Sequence, residues 1–160
     1  MLAMPEKKPF SAYALAFFVI STLLFGLLSA LIGGSGGYEQ LVAPPLAPPR
    51  ILFPIVWTIL YIAMGVAAYF VWQTDDADRI PAIRLYYVQL AVNALWSLFF
   101  FRLDWRLFAF FWILLLIGLI VATWQRFRRL STIAGWLLVP YLLWCVFAAY
   151  LNLGYYLLNA

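Results

Sequence analysis

The chain has 160 residues, of which 68% are hydrophobic, 20% aromatic and 10% charged, and it carries a formal net charge of +4. A soluble domain of this length needs a far more polar shell, so the composition excludes a water-soluble globule and predicts an integral membrane protein. The absence of histidine removes the usual haem ligand and the usual general base, and one cysteine excludes an intramolecular disulfide; neither a metal site nor a nucleic-acid partner is expected.

Charged side chains mark where the chain leaves the lipid, because one near the bilayer centre costs about 2.5–3.5 kcal/mol. Five runs lie between them: Phe10 to Glu39, Ile51 to Gln73, Leu85 to Phe101, Leu107 to Gln125 and Leu130 to Ala160. Each reaches or approaches the roughly 20 residues of a membrane helix. The sequence therefore predicts a single all-α domain over 1–160, a five-transmembrane-helix bundle with helices near 10–32, 51–73, 83–101, 105–125 and 131–157.

The first run is too long for the apolar core of a signal peptide and shows no convincing cleavage site, so it reads as a true span. It is closed by GGSGG, Gly33 to Gly37, since glycine is entropically costly in a helix and permits positive φ. Small residues recur within it at Thr22, Gly26, Ala30 and Gly34, a spacing suited to close helix contact either between subunits or within the monomer. The loop that follows, YEQLVAPPLAPPR, carries Pro44, Pro45, Pro48 and Pro49. Such a segment is expected to be an ordered, partly extended strap, with a stiff connector and a lid both open to it.

Five spans place the N-terminus on one side with the second and fourth connections. That side holds the seven residues Lys7, Lys8, Arg79, Arg84, Arg126, Arg128 and Arg129, against the three residues Arg50, Arg102 and Arg106 opposite. The asymmetry predicts a cytoplasmic N-terminus, with the strap and C-terminus outside.

Polar groups inside the apolar runs follow helical stripes. On the third helix, Tyr86, Gln89, Asn93, Trp96, Ser97 and Phe100 fall within an arc of about 100°. The second repeats the pattern with Trp57, Tyr61, Met64, Gly65 and Ala68, and the fifth with Tyr141, Trp144, Ala148, Leu151, Asn152 and Tyr155. Three such walls suit a cavity in which Gly65 and Ala148 leave room opposite the rings, and Gln89, Asn93 and Ser97 supply the few oriented polar contacts of a mostly apolar pocket. They also suit plain packing, in which an interhelical amide bond is worth about 0.6 kcal/mol and tryptophans anchor at the headgroups. Cys145, mid-helix, reads as a small apolar residue.

At these same residues the sequence resembles a known family. The runs PPRILFPIVWTILYIAMGVAAY, QLAVNALWSLFFF and VPYLLWCVFAAYLNLGYY are similar to the signature blocks of the TspO/MBR family, which comprises the tryptophan-rich sensory proteins of bacteria and the mitochondrial translocator protein, or peripheral benzodiazepine receptor. The resemblance implies a five-helix bundle, commonly a homodimer through the third helix, in a bacterial cell membrane. It also implies a receptor- or sensor-type function. Tetrapyrroles (porphyrin or haem), other lipids and synthetic benzodiazepine-type molecules would enter as ligands rather than as an intrinsic cofactor.

Family pocket positions correspond to Tyr38, Trp57, Tyr61, Asn93, Trp96, Ser97, Trp144, Ala148 and Leu151, beneath a loop that contributes Pro48 and Pro49. Two alternatives accompany the family: light-dependent porphyrin degradation with Trp57 and Trp144 as redox partners, and transport of porphyrin or another lipophile. A conventional enzyme is not expected, because no base, metal ligand or cofactor motif accompanies those tryptophans.

Three departures stand out. Leu46 replaces the tryptophan usual before the second proline pair, Trp112 stands where many members have an aspartate, and Tyr155 and Tyr156 are followed by LLNA without the basic residue of the mammalian sterol motif.

Overall fold

Ser11 opens the first helix: its hydroxyl accepts from the Ala14 N–H at 3.2 Å, and α1 runs over Ala12–Gly33. Gly34, at φ 69°, ends it by donating to the Ala30 carbonyl at 3.2 Å. This computed structural model describes residues 8–34 and 40–160, and among them there is no β-strand. The remaining helices are α2 (Leu52–Gln73), α3 (Arg79–Ser97), α4 (Arg106–Leu130) and α5 (Thr132–Leu158), with a π-helical turn, Leu98–Arg102, continuing α3.

Two helix limits differ from those expected at 83 and 125. Helix α3 begins at Arg79, with Pro81 in the first turn, where backbone N–H groups have no intrahelical partner to lose. Helix α4 continues to Leu130, and Arg128 and Arg129 in its last turn complement the negative end of the helix dipole. In both cases the backbone hydrogen bonds run past the charged residues that bound the apolar run.

Helices α1, α2, α4 and α5 are long and apolar enough to cross a membrane. Helix α3, with 19 residues that include Arg79, Arg84, Gln89 and Asn93, does not reach the same hydropathy. The fold is thus an all-helical integral membrane protein with four such helices among the described residues. Helices α4 and α5 are joined by one residue: Ser131 donates its N–H to the Phe127 carbonyl at 2.7 Å and accepts from the Ala134 N–H at 3.3 Å.

One end of the bundle is filled. A Cβ on Gly65 would lie 2.6 Å from the Val19 Cα and 2.9 Å from the Phe18 carbonyl oxygen, so α1 and α2 meet backbone to backbone there. Gly65, expected to leave room, instead closes it. The Thr22 hydroxyl bonds to the Tyr86 hydroxyl at 2.5 Å, Ser21 to Tyr87 at 2.8 Å, and Tyr86 stacks on Phe127 at 5.6 Å. Thr22 and Gly26, part of the small-residue stripe, therefore pack within the monomer, while Ala30 and Gly34 are exposed.

Candidate functional site: a cavity between α1, α2, α3 and α5

The other end of the bundle is hollow. A cavity of about 910 Å³ lies among the helices, within the range typical of small-molecule pockets. The three stripes reach it at their strap-side ends. Trp57 of α2 stacks on Tyr61 at 5.4 Å and meets Tyr141 edge-on at 6.2 Å. Trp96 of α3 stacks on Phe100 at 5.0 Å, and Trp144 of α5 meets Phe53 at 5.9 Å.

Polar groups hold this frame. Tyr61 donates its hydroxyl to Asn93 Oδ1 at 2.7 Å, the Asn93 amide donates to Tyr141 at 3.0 Å, and Tyr141 donates to Gln89 Oε1 at 2.8 Å. One chain thus ties α2, α3 and α5 together. It leaves Asn93, which lines the cavity, with a spare N–H and a spare lone pair. The Trp96 indole donates to Asn152 Oδ1 at 3.0 Å, and the Asn152 amide donates to the Arg106 carbonyl at 2.8 Å, which fixes the ring. Ser97 pairs with Ser29 of α1 at 2.6 Å. The Trp144 indole N–H is buried and meets no acceptor among the described residues.

Trp57, Tyr61, Asn93, Trp96, Ser97, Trp144, Ala148 and Leu151 all line this cavity. Pro48 and Pro49 do not, and Tyr38 lies outside the described residues. Gln89, expected to offer a polar contact to a ligand, sits behind the lining as the last acceptor of the Tyr61–Asn93–Tyr141 chain. Ser29, Phe53, Asn152 and Tyr155 line the cavity too. Asn152 and Tyr155 were on the fifth-helix stripe, and Ser29 was visible only as a hydroxyl in an apolar helix.

Arg50, the last residue of the strap, lines the cavity, whereas the described stretch before it leans on α5. Tyr150 donates to the Pro45 carbonyl at 2.8 Å, and Asn159 both accepts from the Val42 N–H at 2.8 Å and donates to the Val42 carbonyl at 3.0 Å. A Cβ on Gly154 would come within 2.5 Å of Pro44, so glycine is what lets the strap lie down. The Ala47 N–H closes a turn onto the Pro44 carbonyl at 3.2 Å, with Pro45 second and Leu46 third at φ 66°. That is a type II turn, whose third position favours glycine or asparagine. Trp112 does not line the cavity; its indole donates to the Val92 carbonyl at 2.8 Å and so supplies a polar contact to α3.

Among the described residues no group of three His, Cys, Asp or Glu side chains is placed to hold a metal ion. Fold and cavity together define an all-helical integral membrane protein with a tryptophan-walled chamber among its helices. The chain belongs to the TspO/MBR family, whose model matches residues 7–157. It is similar to the tryptophan-rich protein TspO of Chlorobaculum tepidum, at 42% identity over 76% of this chain and 78% of that one. It is also similar to the translocator protein of Ovis aries, at 38% over 72% and 70%, and to the tryptophan-rich sensory protein of Cereibacter sphaeroides, at 37% over 77% of each.

Proposed function

We propose that this chain is a membrane receptor- or sensor-type protein that binds planar lipophilic ligands, foremost tetrapyrroles such as porphyrin or haem, in the cavity between α1, α2, α3 and α5. The observation that carries the reading is the cavity's chemistry: a volume of about 910 Å³ faced by the rings of Trp57, Trp96 and Trp144, with Asn93 and the paired hydroxyls of Ser29 and Ser97 as polar groups. Rings cover a flat ligand while a few fixed polar groups orient its edge. Synthetic aromatic ligands of the benzodiazepine type suit the same walls. The names of the relatives, sensory protein and translocator protein, support a receptor-type role.

Within this proposal α3 is the fifth span, with Arg84 and Arg102 snorkelling at its ends. The N-terminus is cytoplasmic, the membrane is a bacterial cell membrane, and the protein is a homodimer. Single cysteines at Gln40 and Arg128, on a Cys145→Ser background, test the topology: an impermeant maleimide should label only the former in intact cells. The reverse pattern overturns it.

A second reading, light-dependent porphyrin breakdown, is favoured by the contact of Trp57 with two further oxidisable rings, Tyr61 and Tyr141. Protoporphyrin mixed with the purified protein decides between the two. Tryptophan quenching in the dark supports binding, and light-dependent loss of the porphyrin spectrum that Trp57→Phe abolishes supports breakdown. The absence of both rejects the ligand class.

A further inference from the structure

Helix α1 does not follow α2 along its whole length. The two touch backbone to backbone at Val19 and Gly65, and the Tyr61 ring still fills the gap at Gly26, where a Cβ would lie 2.5 Å from the ring. Beyond Gly26, α1 leans on α3 instead: Ser29 bonds to Ser97 at 2.6 Å, and a Cβ on Gly33 would lie 3.0 Å from the Ser97 Cβ. The result is a slit between α1 and α2 with Tyr61 at its foot.

Residues that line the cavity and are also exposed mark its mouth. Leu27 and Ala30 on α1 and Pro54 and Thr58 on α2 meet both conditions, with Leu27 56% exposed, and Gly34 and Arg50 meet them at the upper edge, beside the helix ends. Leu27 lies six residues before the end of α1 at Gly33, and Thr58 six residues after the start of α2 at Leu52. At 1.5 Å per residue the slit therefore reaches about 9 Å below the helix ends, well inside a hydrocarbon layer about 30 Å thick. Its lower rim carries no charge, and its one hydroxyl, on Thr58, is turned onto the Pro54 carbonyl at 2.7 Å. Such an edge suits contact with hydrocarbon better than with water.

We propose that the slit between α1 and α2 is a lateral portal through which the cavity takes a lipophilic ligand directly from the bilayer. The proposal rests on the ligand-binding reading above and adds the route. A flat, sparingly soluble molecule partitions into the membrane first, and the slit admits it edge-on to Trp57 without crossing the strap.

The test compares the wild type with the double variant Ala30→Phe/Thr58→Phe, whose rings fill the rim, and with Leu31→Phe, which alters an exposed residue of α1 outside the lining. Protoporphyrin is delivered from phosphatidylcholine vesicles, and tryptophan quenching is followed by stopped flow. Both association and dissociation should slow about tenfold or more in the double variant and should be unchanged in Leu31→Phe. Rates in the double variant that match the wild type overturn the portal.

If the wild type binds no protoporphyrin, the ligand class fails, and the portal is judged by the same three proteins in phosphatidylcholine with brominated chains. An open slit adds tryptophan quenching to that of the exposed Trp105 and Trp136, and the double variant loses this excess while Leu31→Phe keeps it. Equal quenching in all three overturns the portal on its own.

Discussion

The two ends of the bundle are built by the same helices from similar residues, yet one is filled and the other hollow. At the filled end, Gly65 brings two backbones together and Thr22, Tyr86 and Phe127 occupy the space behind. At the hollow end, Ala148 faces open volume between tryptophans that are held apart by hydrogen bonds to Asn152 and by ring contacts. A small residue in a membrane helix therefore has no fixed meaning. It makes contact where nothing props the helices apart, and it makes space where aromatic pillars do.

The largest effect should follow from attacking the contact. Gly65→Leu forces α1 away from α2, and overpacking of this kind costs about 3 kcal/mol or more, a fall of about 6–12 °C in melting temperature by the usual size scaling. Melting curves in one detergent check this against Ala148→Leu, which adds the same side chain at a position facing the cavity. Ala148→Leu should keep a melting temperature near that of the wild type while blocking porphyrin binding. If both variants melt alike, the two ends do not differ as described.

Asn93→Leu comes next, because it acts on both properties. It removes the bonds from Tyr61 and to Tyr141, so the buried Tyr61 hydroxyl loses this acceptor while Tyr141 keeps Gln89, at about 1–3 kcal/mol of stability. It should also weaken chiefly those ligands that carry a hydrogen-bonding edge. Loss of stability with unchanged affinity for every ligand would confine Asn93 to holding the frame. Trp144→Ala removes ring contact instead, and should weaken all planar aromatic ligands by about 2 kcal/mol, measured as binding isotherms beside melting curves.

Much of the frame was legible because two simple quantities set it. The cost of a charge in lipid placed the apolar runs, and the helical period put Trp57, Asn93, Trp96 and Trp144 on inward stripes. Neither quantity carries distance between helices, so the stripe that named Gly65 as space was silent on whether α1 would press against it. The strap's attachments were illegible for a related reason: Asn159 meets Val42 across 117 positions of sequence, and no local pattern announces that pairing. Trp112 shows the same limit, since its indole reaches a carbonyl on a helix whose register only packing sets.

The smallest effect concerns the strap's turn, Pro44 to Ala47, which does not line the cavity. Leu46→Gly relieves a left-handed backbone worth about 1–2 kcal/mol and loses about 0.5–1 kcal/mol to the added freedom of the unfolded chain. The net gain should be a few tenths to about 1 kcal/mol, visible as slower hydrogen exchange at the Ala47 amide, which closes the turn. Faster exchange there would show that the leucine side chain, although 83% exposed, was holding the turn.

The single-residue elbow at Ser131 bears on how the protein is made. A connection that short has almost no loop entropy to lose, so α4 and α5 can close into a hairpin as soon as both have left the ribosome. Tyr141, however, sits on α5, and it is the partner that Asn93 and Gln89 share. Until that last helix is synthesised, the amides of α3 are without it. The order of translation thus makes the arrival of the hairpin the event that turns three loosely paired helices into a chamber.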